Sequence, residues 1–130
     1  MSVIPLREIF HLKSVLSEIE PVIWRRFAVV SDINLVKFHE VVQIIMGWTN
    51  SHLHQFTAKG KTYEIPDEAF LNPNFENENN FKLNKILNTL GDSIIYEYDF
   101  GDTWIHQISL EKKTPFNHKV QLPYYEDGEC

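Results

Sequence analysis

Alternating and β-branched residues in the first thirty positions predict two strands. Residues 9–16 alternate loosely between apolar and polar side chains, and residues 22–30 are rich in β-branched and aromatic types. Residues 17–21 separate the two stretches, and Pro21 disfavours helix before it and donates no ladder hydrogen bond. We therefore predict an antiparallel pair of strands.

A helix is predicted immediately after this pair. Its apolar residues fall within an arc of roughly 140°, as a core-facing stripe does. His39 lies at the edge of that stripe, and Gln43 lies outside it. Asn34 is one of the N-cap candidates, and Gly47 is a natural C-terminal stop. The residues of the stripe are Leu35, Phe38, Val41, Val42, Ile45 and Met46.

The rest of the chain predicts two further hairpins, a second helix, a long loop and an irregular tail. The hairpins join 52–58 to 61–63 and 93–100 to 103–112, the helix covers 83–90, the loop 65–80 and the tail 114–130. The order ββα-ββα-ββ predicts an α+β fold, a roll in which a mostly antiparallel sheet packs on one long helix. A β-grasp-like arrangement is its closest analogue at the level of fold.

Length and composition fit a single domain covering residues 1–130. The chain has 130 residues, of which 43% are hydrophobic, and no run approaches the ~18 apolar residues that a membrane span requires. The N-terminus lacks a signal-peptide pattern, and Cys130 is the single cysteine. We therefore expect a cytoplasmic protein that does not associate with a membrane.

The charge balance argues against a nucleic-acid partner. Twelve Lys and Arg residues stand against eighteen Asp and Glu residues, which gives a formal net charge of −6. Proteins that hold duplex DNA neutralise its phosphates and usually carry a basic stripe. Here basic residues cluster at most as pairs, such as Arg25 with Arg26.

The last hairpin carries the most chemical information. A two-residue turn at Gly101-Asp102 would pair Glu97 with His106 and Asp99 with Trp104. Neighbouring carboxylates favour imidazolium, so this register predicts a raised pKa for His106. The cluster could form a pocket for a cationic or hydrogen-bonding ligand, or a cross-strand ion pair on a half-buried sheet.

The segment His52-Leu53-His54 offers the clearest metal-ligand pattern. Two imidazoles two positions apart on a strand point to the same side of the sheet, as in some zinc and iron sites. Such a pair needs further ligands, and the candidates are His39, His106, Asp99 and Asp102. The alternative is that these histidines only pack and form hydrogen bonds.

Arg25 needs a partner because it lies among apolar residues of the second predicted strand. An unpaired buried charge costs several kcal/mol. Asp99, Glu97 and Asp102 are the candidate partners. The tryptophans, by contrast, are expected to be core or rim aromatics and not a platform for bases.

Known catalytic motifs are absent from the sequence. There is no P-loop, nucleophile elbow, His-Glu-x-x-His or Cys-x-x-Cys pattern. Asp99-Phe100-Gly101 imitates a kinase motif, but a Gly-rich loop and a His-Arg-Asp loop are missing. Cys130 lies at the last position, where nothing would hold it against a base.

Several segments form a specific combination of motifs that covers nearly the whole chain apart from the 65–80 loop. They are Ile23-Trp24-Arg25-Arg26, Phe38-His39-Glu40-Val41-Val42-Gln43, Met46-Gly47-Trp48-Thr49, Ser51-His52-Leu53-His54-Gln55-Phe56, Gly91-Asp92, Leu110-Glu111 and the run from Tyr96 to His106 (Tyr-Glu-Tyr-Asp-Phe-Gly-Asp-Thr-Trp-Ile-His). Together these segments resemble the plasmid pRiA ORF-three-like family.

The resemblance implies an α+β domain of bacteria and archaea that is often found on mobile elements. Some members carry a TnpR-like resolvase label, which these residues do not support. A serine resolvase needs a cluster of arginines around its nucleophile, and Arg7, Arg25 and Arg26 are the only arginines here. Family members usually continue into a Cys-Pro-Pro-Glu-Asp segment, so residues 123–130 predict a domain cut short at that point.

The function expected from the sequence is that of a non-enzymatic module which binds a small molecule or a protein in a polar and aromatic pocket. The alternatives are a small metal-dependent enzyme that uses His52 and His54, and a DNA accessory protein of a mobile element. No cofactor is predicted apart from the divalent metal of the first alternative. The predicted pocket residues are Arg25, Trp48, His52, His54, Glu97, Asp99, Asp102, Trp104 and His106.

Overall fold

The computed structural model describes residues 7–16, 22–48, 53–66, 75–98 and 104–129. Eight strands, one long helix and one short helix form most of this part of the chain. The elements are β1 (Glu8–Leu16), β2 (Ile23–Val30), α1 (Leu35–Met46), β3 (His54–Ala58), β4 (Lys61–Glu64), β5 (Phe75–Asn77), a 3₁₀ turn (Glu78–Asn80), α2 (Leu83–Ile86), β6 (Ser93–Tyr98), β7 (Trp104–Pro115) and β8 (Tyr124–Glu129).

The strands form one sheet in the order β5-β4-β3-β6-β7-β1-β2-β8. Every neighbouring pair is antiparallel except β4 and β5, which are parallel. The α+β class and the mostly antiparallel sheet are therefore confirmed. Within the described residues, no helix is long and apolar enough to span a bilayer.

The sheet curls around α1, and its face toward the helix is called the inner face here. Phe38 of α1 contacts Phe27 of β2 and Phe56 of β3, with ring centroids 6.2 and 5.8 Å apart. Three strands lie between β2 and β3, so one ring reaches both only because the sheet is strongly curved. The side chain of Asn34 caps α1 by accepting from the N–H of Val36, and Gly47 ends the helix at φ 74°.

Three predicted elements differ from the structure. The second helix, predicted over 83–90, ends at Ile86. Leu87 has an extended backbone, and its side chain is buried like that of Leu83 in the helix. The predicted 65–80 loop contains β5 and the 3₁₀ turn, while residues 67–74 lie outside the described part. The predicted irregular tail contains β8, which pairs with β2.

The tail was misinterpreted because its strand is acidic. Asp and Gly are depleted in strands, so Glu126-Asp127-Gly128 gave no strand signal. Its carboxylates are matched from neighbouring strands: Asp127 lies 3.4 Å from Arg26, and Glu126 lies 2.8 Å from His11. Tertiary pairing overrides the local preference.

The register predicted for the last hairpin is wrong by one residue. Tyr98 pairs with Trp104 and Tyr96 pairs with His106, whereas Glu97 pairs with Ile105. A shift of one residue exchanges the two faces of a strand, because the side-chain period is two. Trp104 and His106 therefore share the inner face with Tyr96 and Tyr98, and Glu97 lies on the outer face. Burial of the two tyrosines decides the register over the turn motif, whose residues 99–103 are outside the described part.

Candidate functional site

Polar side chains are buried in the middle of the apolar interface between α1 and the inner face. Five of them form a continuous chain of contacts, which we call the buried relay. Each is at most 7% exposed to solvent. The members of the buried relay are Gln43, Tyr96, His39, His54 and Glu78.

The contacts within the buried relay are short. Nε2 of Gln43 donates to the hydroxyl of Tyr96 at 2.8 Å, and that hydroxyl lies 2.6 Å from Nδ1 of His39. The rings of His39 and His54 are stacked, with centroids 3.5 Å apart and planes 7° apart. Nε2 of His54 lies 2.8 and 2.9 Å from the two carboxylate oxygens of Glu78.

Hydrogen-bond counting places the protons in this chain. Burial raises the pKa of Tyr96, so its phenol keeps its proton. Since the phenol oxygen already accepts from Gln43, its O–H is available to donate to Nδ1 of His39. His39 is then a neutral imidazole with its proton on Nε2, a tautomer assigned from this hydrogen-bond pattern.

The carboxylate of Glu78 is fully buried, which is costly unless it is paired. His54 supplies the hydrogen bond to both oxygens. The pKa of the neighbouring Glu64 responds to both members of this pair and is raised overall. Burial raises it most, the imidazole of His54 lowers it, and the carboxylate of Glu78 raises it. The relay thus ties the 3₁₀ turn, β3, β6 and α1 into one unit.

An aromatic cluster lies next to the relay at the end of the sheet where α1 ends. We call it the aromatic end. Trp48 stacks on Tyr98 at 4.8 Å, is tilted against Trp104 at 6.3 Å, and meets His106 edge to face at 5.1 Å. The two indoles are half-buried, whereas Tyr98 and His106 are buried. The four members of the aromatic end are Trp48, Tyr98, Trp104 and His106.

His106 has one satisfied and one unsatisfied ring nitrogen. Nδ1 lies 3.2 Å from Oγ of Ser14, and Nε2 has no hydrogen-bond partner within the described residues. Burial lowers the pKa of His106 to about 4, so the raised pKa predicted from the sequence is wrong. The reason is the register: Glu97 lies on the other face of the sheet, and desolvation is the dominant influence on the imidazole.

Arg25 lies on the inner face, opposite Ser14 of β1 and Gly128 of β8. Its guanidinium donates to the carbonyl of Trp24 at 2.9 Å. Glu97 is on the opposite face, so the register excludes it as the partner that the sequence suggested. A Cβ at Gly128 would lie 2.5 Å from the carbonyl oxygen of Trp24 and 2.7 Å from Cδ of Arg25, which explains the glycine at that position.

The structure brings together four of the nine residues predicted for the pocket. Trp48, Trp104 and His106 belong to the aromatic end, and His54 belongs to the adjoining relay. Arg25 lies on the same face of the sheet, opposite Ser14, whose hydroxyl is 3.2 Å from Nδ1 of His106, whereas Glu97 lies on the outer face. The remaining three, His52, Asp99 and Asp102, are outside the described residues.

The metal site predicted at His52 and His54 stays a prediction. Among the described residues, no group of three or more His, Cys, Asp or Glu side chains is arranged to hold a metal ion. Nε2 of His54 is bound to Glu78. The stacked rings of His39 and His54 direct their lone pairs along nearly parallel planes, so they do not converge on one ion.

The sequence analysis missed most of the relay. Gln43 was placed outside the apolar stripe but is 3% exposed, and Glu78 was placed in a loop but is fully buried. One signal was available for α1: His39 and Gln43 are four residues apart and therefore share a helix face. No local pattern indicated Glu78, because its partner lies 24 residues away.

The fold and the site define a small α+β domain in which side chains of α1 pack on one face of a mostly antiparallel sheet, with the aromatic end beside them. Residues 8–130 match the family of plasmid pRiA4b ORF-3-like proteins. The chain therefore belongs to this family, as its motifs predicted.

Two relatives support this assignment. The chain is 37% identical to the uncharacterized protein y4hQ of Sinorhizobium fredii over 107 residues, which are 82% of this chain and 55% of y4hQ. The crystal structure of the protein of unknown function MM3350 from Methanosarcina mazei Go1 matches with a TM-score of 0.83 at 29% identity. That match covers 95% of this chain and 70% of the MM3350 chain. The chain thus spans about half of the length of y4hQ.

Removing the hydroxyl of Tyr96 tests the relay. Tyr96→Phe leaves Nδ1 of His39 and Nε2 of Gln43 without their shared partner, so we expect the free energy of unfolding to fall by about 1–3 kcal/mol. Tyr63→Phe is the matched control. Tyr63 is also buried, and its hydroxyl makes no hydrogen bond within the described chain, so its loss should cost under ~0.5 kcal/mol. If urea unfolding shows that Tyr96→Phe and Tyr63→Phe lower the free energy of unfolding equally, the hydrogen bonds assigned to Tyr96 in the relay are refuted.

The buried neutral His106 predicts a stability loss in mild acid. Because its folded pKa of about 4 lies below the unfolded value of about 6.5, the unfolded state binds more protons between these values. The stabilisation that comes from the neutral imidazole is fully present above about pH 6.5. The free energy of unfolding falls by roughly 2–3 kcal/mol as the pH is lowered to about 4.5. His106→Phe should lack this loss, and His118→Gln, at an exposed histidine, should retain it. Urea unfolding between pH 7.5 and 4.5 measures the free energy of unfolding of both variants. If this free energy falls with pH in His106→Phe as it does in the unmodified chain, the lowered pKa of His106 is contradicted.

Proposed function

We propose that this chain is a non-enzymatic binding module whose ligand, a small molecule or a segment of a protein, contacts the aromatic end. The observation that carries the proposal is the pair of half-buried indoles, Trp48 and Trp104, beside a buried imidazole that has one nitrogen without a partner among the described residues. Binding sites are mostly apolar surfaces with a few placed polar groups, and this cluster has that composition.

The third tryptophan supports the location by contrast. Trp24 lies on the outer face, where its ring is already covered by cations of the same chain. Nζ of Lys13 lies 5.0 Å from its ring centroid, and Cζ of Arg26 lies 4.9 Å from it. Arg26 is itself paired with Glu111 at 2.8 Å. Trp24 therefore has a structural role within the sheet. The indoles of Trp48 and Trp104 instead contact aromatic rings and the apolar core, and no cation among the described residues lies over them.

The buried relay supports a binding role more than a catalytic one. An acid or base must reach the proton that it transfers, within hydrogen-bond distance or through one water. All five relay side chains are almost completely enclosed by α1 and the sheet. The contacts among these side chains join α1, β3, β6 and the 3₁₀ turn, so the relay is suited to hold β6 and α1 in place beside the aromatic end.

Two alternatives remain predictions. A metal-dependent enzyme would need His52 together with His54, and a DNA accessory protein of a mobile element would need a basic surface on a chain of net charge −6. No contact among the described residues favours either of them. A cytoplasmic location also remains a prediction from the sequence.

The three indole N–H signals in an NMR spectrum test the proposal. We expect that hits from an unbiased set of small fragments shift the signals of Trp48 and Trp104 and leave that of Trp24 in place. Trp48→Ala and Trp104→Ala should each weaken binding of the same hits at least about tenfold, as for a central aromatic contact. Trp24→Phe is the matched control and should not change it. Hits that shift only Trp24, or a set without any hit, would contradict the proposal.

A further inference from the structure

His106 contributes to the aromatic end a buried ring nitrogen whose hydrogen-bonding capacity is unmet among the described residues. The residue is fully buried, and Nε2 lacks a partner among the described atoms. Buried polar atoms are nearly always hydrogen-bonded, so an exception calls for an explanation. A ligand group that pairs with the nitrogen when the site is occupied is such an explanation.

The unpartnered nitrogen of His106 points away from Ser14. Nδ1 is directed at Ser14 on β1, and the two nitrogens of an imidazole point in widely different directions. The rings in contact with this imidazole include Trp48, which it meets edge to face, and Tyr96, at 5.7 Å between centroids. A ligand that enters between Trp48 and Trp104 would reach this nitrogen once the half-buried Trp48 ring rotates aside.

The charge at the site restricts the class of ligand. The imidazole is uncharged at neutral pH because burial lowers its pKa, and among the described residues no carboxylate shifts that pKa. The walls are two indoles and a phenol ring. A charged ligand group would lose its hydration beside Nε2, and the uncharged imidazole offers it no opposite charge, which is costly. A flat, uncharged ring would instead stack on the indoles.

We propose, on the basis of the binding function above, that the aromatic end accepts an uncharged planar ligand whose hydroxyl or amide group pairs with Nε2 of His106. A phenolic or hydroxylated heteroaromatic ring fits this description. A hydroxyl can donate to an unprotonated Nε2 or accept from a protonated one, so it suits either tautomer of the imidazole. His106 is thus the residue that determines specificity, and Trp48 and Trp104 supply the contact area.

Phenol and toluene are matched probes because they share the ring and differ in the hydroxyl. We expect phenol to bind the full chain about five- to tenfold more tightly than toluene, which corresponds to one additional hydrogen bond. Phenol should also shift the ¹⁵N resonance of Nε2 of His106, and toluene should not. Benzylammonium and benzoate should bind more weakly than phenol.

His106→Phe keeps a flat ring at this position and removes both nitrogens. In this variant phenol and toluene should bind within twofold of each other, with the toluene affinity unchanged. His118→Gln, at an exposed histidine, should preserve the preference for phenol. If His106→Phe does not fold, the ¹⁵N shift in the unmodified chain decides the question by itself.

Three results would overturn the inference. They are equal binding of phenol and toluene, tighter binding of either charged probe, and an Nε2 resonance that phenol does not move, as when this N–H already faces the ring of Trp48. These results leave the proposed function intact if other fragments still shift the Trp48 and Trp104 signals. Failure of the proposed function shows itself differently, as the absence of any response of those two indoles.

Discussion

The pairing of Glu78 with His54 inside the apolar interface is the interaction on which the rest of the structure depends. A carboxylate without exposure to solvent must be hydrogen-bonded, and here both of its oxygens meet one imidazole nitrogen. That imidazole stacks on His39, which in turn reaches Tyr96. The chain of contacts joins the 3₁₀ turn, β3, α1 and β6. Apolar packing alone tolerates small shifts of a helix on a sheet, but a set of directional hydrogen bonds does not.

The relay also positions the aromatic end. Tyr96 and Tyr98 are two residues apart on β6 and therefore share the inner face. The first belongs to the relay, and the second lies under Trp48 at 4.8 Å. Because both tyrosines lie on β6, the contacts that hold Tyr96 in the relay also fix the position of Tyr98, on which Trp48 stacks. The relay is thus a buried polar support. The aromatic end beside it has two half-buried indoles and one ring nitrogen without a partner among the described residues.

Local patterns in the sequence predicted α1, the first two strands, the α+β class and the family. These features follow from short-range periodicity and from motifs. The errors share one physical cause: contacts distant in the chain override a local signal. The Gly101-Asp102 motif favoured a two-residue turn, yet burial of Tyr96 and Tyr98 shifts the register by one and reverses the expected charge environment of His106. Glu78 and β8 were invisible because their partners come from β3 and β2. Of the predicted pocket, the aromatic members and His54 come together, whereas Glu97 does not.

The proton positions of His39 and His54 test the relay most directly, and ring ¹⁵N chemical shifts measured at pH 7 report them. The account predicts that Nδ1 of His39 is unprotonated and hydrogen-bonded, with its proton on Nε2, and that Nε2 of His54 carries the proton directed at Glu78. The Tyr96→Phe variant should change the Nδ1 shift of His39 and leave Nε2 of His54 protonated. A protonated Nδ1 on His39, or an unprotonated Nε2 on His54, would contradict the account.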